Sequence, residues 1–494
     1  SRWCTVATLV DRGTYVIDAQ HAIVVKQDGK RRTPWQTIDK VRHTGDDGKR
    51  HFYSSKPPLL PTMVAALYAV VRPVAGMTLT DQPMYMTRIL LAMVNLPLLA
   101  LFFFATTDSI ERICRGDWVR RLLAVTACFG TMLLPFAISL NNHLPAAAAT
   151  AVAMWIYIFA AESLDDSFSD GRGGVSPWWS FAAGLAAAFA AANELPALSM
   201  LVLWALLFYL LHRPSILPFA AGTLVVAIGF FGTNWMAHGS LRPPYAHRGN
   251  GAVVAEWNSG DSPDELRSEI ETSLSELGLE LQDIVVSDEP QRWVVRSTDD
   301  RSWMALLKVP DESADAAGPR WQLAHWDDWY EYDGSYWQPE NLVGVDRGEP
   351  SRWVYFLNMT VGHHGLFSLT PMWLFLPLGL IAGLGFGPPD FRRLVLATLL
   401  ATSACIVFYV ARPEIDRNYG GVSVCFRWLL WLAPLWLLVS APAVDRLSRT
   451  LALRVTITVL LAASIFSVST ALQSPWQHPW IYQFWDFLGW IDPS

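Results

Sequence analysis

Charge is the scarcest commodity in this 494-residue chain: only 16% of residues are Asp, Glu, Lys or Arg. Soluble domains carry about a quarter. The deficit excludes a disordered or fibrous chain and most soluble multidomain enzymes. Cysteine is scarce too. Cys4, Cys114, Cys128, Cys405 and Cys425 show no CxxC or CxxH spacing, so they form neither a metal motif nor a disulfide framework. No P-loop and no GxGxxG after a strand is present, which leaves no nucleotide-binding signature. Internal repeats are lacking as well. The sequence has neither a signal peptide nor an initiator Met, and its polar opening, Ser1-Arg2-Trp3, reads as a piece of a longer protein.

Apolar residues are plentiful, at 52% with 24 Trp and a mean hydropathy of +0.25. They gather into runs of bilayer-crossing length, roughly 17–25 residues. Ten spans are expected, near 85–106, 119–140, 144–162, 177–192, 195–211, 215–236, 367–386, 392–411, 427–443 and 453–471. Basic residues sort the loops between them. Arg112, Arg115, Arg120, Arg121, Arg213, Arg392, Arg393, Arg446, Arg449 and Arg454 all fall on one side, which the positive-inside rule makes cytoplasmic. Residues 237–366 then lie outside; they hold 23 acidic and 10 basic residues, a net of −13, so the remainder is +6 against −7 for the whole.

The expected fold is an all-α polytopic membrane bundle with a small α+β extracytoplasmic domain. Its parts are a first outer loop with juxtamembrane helices (1–84), six spans (85–236), the soluble domain (237–366), four spans (367–471) and an outer aromatic tail (472–494). Within the soluble domain a helix is expected over 262–281 and strands at 284–287, 293–297 and 303–309. Its aromatic cluster, Trp326, Trp329, Tyr330, Tyr332, Tyr336 and Trp337, reads equally as a sugar-stacking surface or as a small core with an interfacial belt. Residues 59–71 read either as a short span or as an amphipathic surface helix, since Pro57, Pro58 and Pro61 precede or interrupt the run.

Ionisable groups beside spans are costly and are functional candidates by default. Here they converge on the outer side: Asn141-Asn142-His143, Asn193-Glu194-Leu195-Pro196, His363-His364-Gly365, and Arg417-Asn418-Tyr419-Gly420-Gly421 with Arg427. Each has a bland alternative as cap or loop. Glu194 suits a helix terminus, and two adjacent histidines do not face one metal well. The glycines beside Tyr419 allow close backbone approach, and arginines suit bidentate phosphate contacts. Asp327-Asp328 sits amid aromatics and is not read as a metal site. Two function classes fit: an enzyme acting on a lipid-linked substrate at the outer leaflet, or a transporter or flippase of lipid-linked glycans. A transporter calls for repeats and mid-span polar groups, so the enzyme is favoured.

Ser1-Arg2-Trp3, Gly13-Thr14-Tyr15 and Lys56-Pro57-Pro58-Leu59 carry a resemblance. They are similar to the first outer loop of the GT-C type membrane glycosyltransferases, in the branch of lipid A aminoarabinose transferase and the protein O-mannosyltransferases. There a [ST]-R-[YW] helix, a G-x-[WY] and a K-P-P-L follow in order; here a charged insert, Lys26 to Arg50, lengthens the spacing. The resemblance implies that 1–56 lie outside and that the helix after Pro58 lies on the outer surface. It further implies an inverting transfer from a polyprenyl-phosphate-linked sugar to a lipid, glycan or protein in the cell membrane, a bacterial inner membrane. Lys56 would contact the donor phosphate, with Arg417, Tyr419 and Arg427 completing the phosphate or acceptor site. The family's general base precedes the Ser-Arg-Trp match, a position upstream of Ser1. Asp18, with Asp11, is the nearest visible acid. Asn142 and His143 stand where the family often carries an acid in its second outer loop. Glu194, His363 and His364 complete the candidates. No cofactor is expected, a divalent metal stays open, and membrane lipids rather than nucleic acid are the expected surroundings.

Overall fold

The computed structural model describes residues 1–27, 30–170, 175–258, 262–286, 291–298, 303–309 and 320–491. The chain divides into two compact units, residues 1–66 with 233–342 and residues 67–232 with 343–494. The soluble region expected at 237–366 thus shares its unit with the N-terminal segment, and residues 343–366 belong to the other unit.

Among the described residues the first unit holds nine strands. Two short hairpins come first, β1 (Val25–Gln27) with β2 (Lys30–Arg32), and β3 (Lys40–Thr44) with β4 (Arg50–Ser54). A five-stranded antiparallel sheet follows, from β5 (Asn250–Trp257), β6 (Leu281–Val286), β7 (Arg292–Ser297), β8 (Trp303–Val309) and β9 (Arg320–Trp326), in the order β5-β9-β8-β7-β6. The three strands expected from the sequence are present, apart from Ser287, which lies outside the described residues; β5 and β9 are additional. The expected helix is shorter, Arg267–Glu276. Alternation along β7 and β8 explains the packing. Val295, Met304 and Leu306 point to one face and meet Ile270 and Leu274 of that helix. The other face carries Arg296 opposite Trp303, with the Arg50 guanidinium 3.6 Å from the Trp303 ring. Arg292 lies 4.0 Å over Trp326 and pairs with Glu331 at 2.6 Å.

The aromatic cluster resolves toward a core. Trp329 and Tyr330 are buried with Tyr15, Val41 and Tyr53. Tyr53, His43, Trp329 and His247 form a continuous ring stack, with successive centroids 4.0, 4.1 and 3.5 Å apart. The Arg42 amide donates to the Trp329 carbonyl at 2.8 Å, tying β3 to this stack.

The second unit is helical. Among the described residues six helices are long and apolar enough to cross a bilayer, Pro83–Ile113, His143–Leu164, Arg213–His238, Pro389–Ala411, Arg427–Leu447 and Leu451–Ala471, which marks a membrane protein. Each matches an expected span. The other four expected spans are shorter or broken among the described residues. Region 119–140 is a helix that ends at Phe129 before Gly130, followed by a 3₁₀ turn with Pro135. Pro177–Asn193 is a helix of 17 residues, as is the Leu195–Leu211 segment that Pro196 opens. A 3₁₀ turn at Pro371 shortens the next, Pro371–Phe386. Seventeen residues rise about 25 Å, at the lower edge of what crosses a ~30 Å hydrocarbon core. The surface-helix candidate is a helix of the same length, Leu59–Ala75. Helix packing is close where glycine allows it: a Cβ on Gly184 would sit 2.0 Å from the Phe219 carbonyl oxygen.

Candidate functional site

The site in the helical unit begins with a cap. Asn141 precedes the helix that starts at His143, and its Oδ1 accepts from the amides of His143 (2.8 Å) and Leu144 (3.2 Å). Its Nδ2 donates to the carbonyls of Phe136 and Ser139, while Asn95 donates to Ala137 and Ser139. The 3₁₀ turn and the helix start are therefore fixed by side-chain amides, and His143 is aimed inward.

Glu194 follows the last residue of helix Pro177–Asn193, in an extended conformation that Pro196 favours by barring a continuous helix. Its Oε1 accepts from Asn142 Nδ2 at 2.6 Å and from His143 Nδ1. His143 thereby carries its proton on Nδ1, and Nε2 accepts from Arg427 Nη1 at 3.1 Å. Arg427 Nε donates to the Gly420 carbonyl at 2.7 Å, and its guanidinium lies 5.0 Å from the Trp476 ring. Glu194 and His143 are only 4% and 1% exposed. A carboxylate, an imidazole and a guanidinium thus form a buried relay at the ends of three helices, with one negative and one positive charge.

Gly420 has φ +95°, and a Cβ there would meet Arg427 Nε at 2.8 Å, so this position requires glycine on both counts. Tyr419 adopts φ +56° without being glycine. Its hydroxyl accepts from Asn358 (3.2 Å) and donates to Glu349 (3.3 Å), and its ring stacks on His364 at 4.7 Å. His363 and His364 share a hydrogen bond between their Nδ1 atoms. Burial pushes His363 down to about 4 and His364 well below the ordinary histidine value, so both rings are neutral near pH 7. Arg417 is buried but turns away from the relay; its Nη2 donates to the Pro350 carbonyl at 2.8 Å.

The remaining candidates lie in the other unit. Lys56 Nζ pairs with Asp39 at 2.8 Å. Burial would raise the Asp39 carboxyl, but the Lys56 ammonium beside it outweighs this and holds it well below the carboxylate range. Asp18 accepts from the Phe52 amide (2.7 Å) and from His51 Nδ1 (2.6 Å). Burial works against a charged His51, yet the hydrogen bonds to Asp18 and Asp47 raise its value above the ordinary one. Asp18 is a brace between its short helix and β4.

Sequence reasoning did not connect His247 with Asp327. His247 Nδ1 donates to Asp327 Oδ1 at 2.6 Å, and the Ser240 hydroxyl lies 3.1 Å from Nε2. Ser240 Oγ also accepts the Arg242 amide of its own turn, and Trp329 covers the imidazole face. This chain of bonds fastens the segment entering β5. Among the described residues no group of three or more His, Cys, Asp or Glu is placed to hold a metal ion.

Fold and site together define a helical membrane protein with a buried carboxylate–imidazole–guanidinium relay. Compared with known proteins, the chain matches no family model and no curated sequence.

Proposed function

We propose that the chain is an integral-membrane glycosyltransferase that moves a sugar from a polyprenyl-phosphate donor to a hydroxyl acceptor at the outer face of the membrane. The observation that carries this reading is the Glu194–His143–Arg427 relay. Glu194 Oε1 accepts from Asn142 and His143, and the same carboxylate is the proposed acceptor for the proton of an incoming hydroxyl. That hydroxyl oxygen attacks the anomeric carbon, and the polyprenyl phosphate departs with the glycosidic oxygen. Arg427, fixed by Gly420 and His143, supplies positive charge toward the leaving phosphate. Asn142 and His143 act as positioning residues for the carboxylate. A low-charge helical chain, in which most groups are apolar, suits a donor with a long hydrocarbon tail. For Lys56, in the other unit, a phosphate contact is proposed in its own right, and an arriving phosphate has to compete with Asp39 for it.

The test uses the full chain in vesicles with a set of radiolabelled polyprenyl-phosphate sugars and bacterial membranes as the acceptor source. Label is expected to leave the donor lipid. Glu194→Gln and Arg427→Ala are each expected to slow transfer about 100-fold or more. Absence of transfer from every donor, or transfer indifferent to both substitutions, rejects the proposal. A tag in the Lys26–Arg50 insert reports the side: protection outside the cell would reject the outer-face assignment.

A further inference from the structure

The C-terminal helix Trp480–Phe487 has three distinct sides, and only two of them are accounted for within its own unit. One side faces protein. Tyr482 is 8% exposed; its ring stacks on His478 at 4.0 Å and lies 5.2 Å from His363 and 5.8 Å from His364. Trp485 lies 5.6 Å from His363. These two aromatics cover the neutral histidine pair beside Tyr419. A second side is polar and exposed, formed by Gln483 and Asp486.

The third side is apolar and uncovered. Phe484 and Phe487, three residues apart and so on one stripe, are 50% and 84% exposed, and Trp490 just beyond is 69% exposed. Large aromatics at this exposure are unfavourable in water. Their neighbour along the chain is a membrane-length helix. Leu451–Ala471 ends nine residues before Trp480, and Trp480 Nε1 donates to Ser467 Oγ in its last turns at 3.0 Å. Gln477 Nε2 donates to the Thr470 carbonyl at 2.9 Å in the same place. The aromatic stripe is thus pinned to the end of a candidate span, the depth at which Trp and other amphipathic rings are favoured. A short helix with one apolar edge, one charged edge and a fixed height fits the boundary between headgroups and acyl chains.

We propose that residues 480–490, the helix Trp480–Phe487 and the turn after it, are an interfacial segment seated in the lipid headgroup region through Phe484, Phe487 and Trp490, and that this seat holds Tyr482 and Trp485 over the His363–His364 pair. The partner is the bilayer itself. Beneath the cover, His364 Nε2 and His478 Nδ1 are buried without a hydrogen-bond partner. Loss of the seat would open these nitrogens to water, which satisfies them. The lipid surface therefore sets whether the histidine cluster is closed.

The experiment places a benzophenone amino acid at position 487, and separately at 486, in the full chain in vesicles of phosphatidylethanolamine and phosphatidylglycerol. Irradiation is expected to give lipid adducts at 487 and several-fold fewer at 486. Equal adduct yields at the two positions, or cross-links at 487 only to protein, overturn the seat. Phe484→Asp with Phe487→Asp, in the same vesicles, is expected to raise diethyl pyrocarbonate modification of His363, His364 and His478 several-fold, read by peptide mass. An unchanged modification level in this variant overturns the cover. The 487 and 486 probes keep wild-type Phe484, so the seat is decided even where the double variant fails to fold.

Discussion

Two ion-paired groups in this protein use the same chemistry in opposite surroundings. In the helical unit, Glu194 and Arg427 are joined through His143, with the carboxylate and the imidazole almost fully buried. In the other unit, Lys56 and Asp39 meet directly at 2.8 Å, but their side chains remain 30% and 36% exposed. Water screens the second pair and not the first. A buried ion that loses its partner keeps its desolvation cost, about 3–5 kcal/mol, whereas an exposed pair is worth only about 0–1 kcal/mol. The contrast separates a group that must be complete for its unit to hold together from one that can be rearranged by a ligand.

The strongest way to break this contrast is to truncate the carboxylate of the buried relay. Glu194→Ala removes the acceptor of the His143 Nδ1 and Asn142 Nδ2 bonds and the negative charge of the relay. We expect a stability loss of about 3–5 kcal/mol, read as a lower thermal midpoint of the detergent-solubilised protein and poor recovery of monodisperse material. Glu194→Gln keeps an acceptor oxygen at Oε1 and is expected to fold, so it isolates the loss of proton acceptance in the transfer assay. Equal stability of the Ala variant and wild type would show the relay to be as dispensable as a surface pair.

A pH titration gives a smaller effect from a different buried group. His43 lies in the Tyr53–His43–Trp329–His247 stack, donates from Nδ1 to the Thr44 carbonyl, and meets His238 at 3.0 Å through Nε2. Burial depresses it to about 4 from an ordinary 6.5, with His247, Arg50 and His51 adding repulsion. Because the folded value lies below the unfolded one, the folded state prefers the neutral ring. Stability is complete above about pH 6.5 and falls as pH drops toward 4, by up to about 3 kcal/mol at 1.36 kcal/mol per pH unit. His43→Phe is expected to flatten this acid limb in a pH-dependent melting series, and an unchanged limb would assign the loss elsewhere.

How much of this was legible in the sequence depended on the range of the interactions. The six membrane-length helices were plain, because an apolar run is a local property. The other four runs are shorter or broken where Gly130, Pro135, Pro196 and Pro371 end or tighten a helix inside an otherwise apolar stretch, which an apolar count does not register. Asn142, His143, Glu194 and Arg427 were each visible as polar residues beside spans, but their junction joins positions 52 and 284 residues apart. No spacing rule encodes that. Arg417 shares its loop with Tyr419 and looked equivalent to Arg427, and only the structure shows that its Nη2 donates to the Pro350 carbonyl while Arg427 meets His143. β5 and β9 escaped notice because charged and glycine residues interrupt their alternation, and their apolar faces show only once the sheet is assembled. Asp18 stood out for its sign alone, while its partners His51 and Phe52 lie on a strand more than 30 residues away.

The exposed pair supplies the finest test, because stability and activity should part company there. Lys56→Ala removes an ammonium that Asp39 can replace with water, so we expect less than about 1 kcal/mol of destabilisation. Under the proposed function the same substitution removes a contact to the donor phosphate, so transfer from the polyprenyl-phosphate sugar should fall while the melting curve barely moves. Asp39→Asn makes the opposite change: it frees the ammonium from its competitor, with the same small stability cost, and should tighten donor binding without raising the chemical step. The pair of variants therefore predicts a split, weaker donor affinity in one and stronger in the other, from a contact worth little to the fold. Parallel losses of stability in both would mean that Lys56 and Asp39 serve the fold as the buried relay does. Unchanged affinity in both would remove Lys56 from the proposed phosphate contacts, and the contrast between the two ion pairs would then be one of surroundings rather than of role.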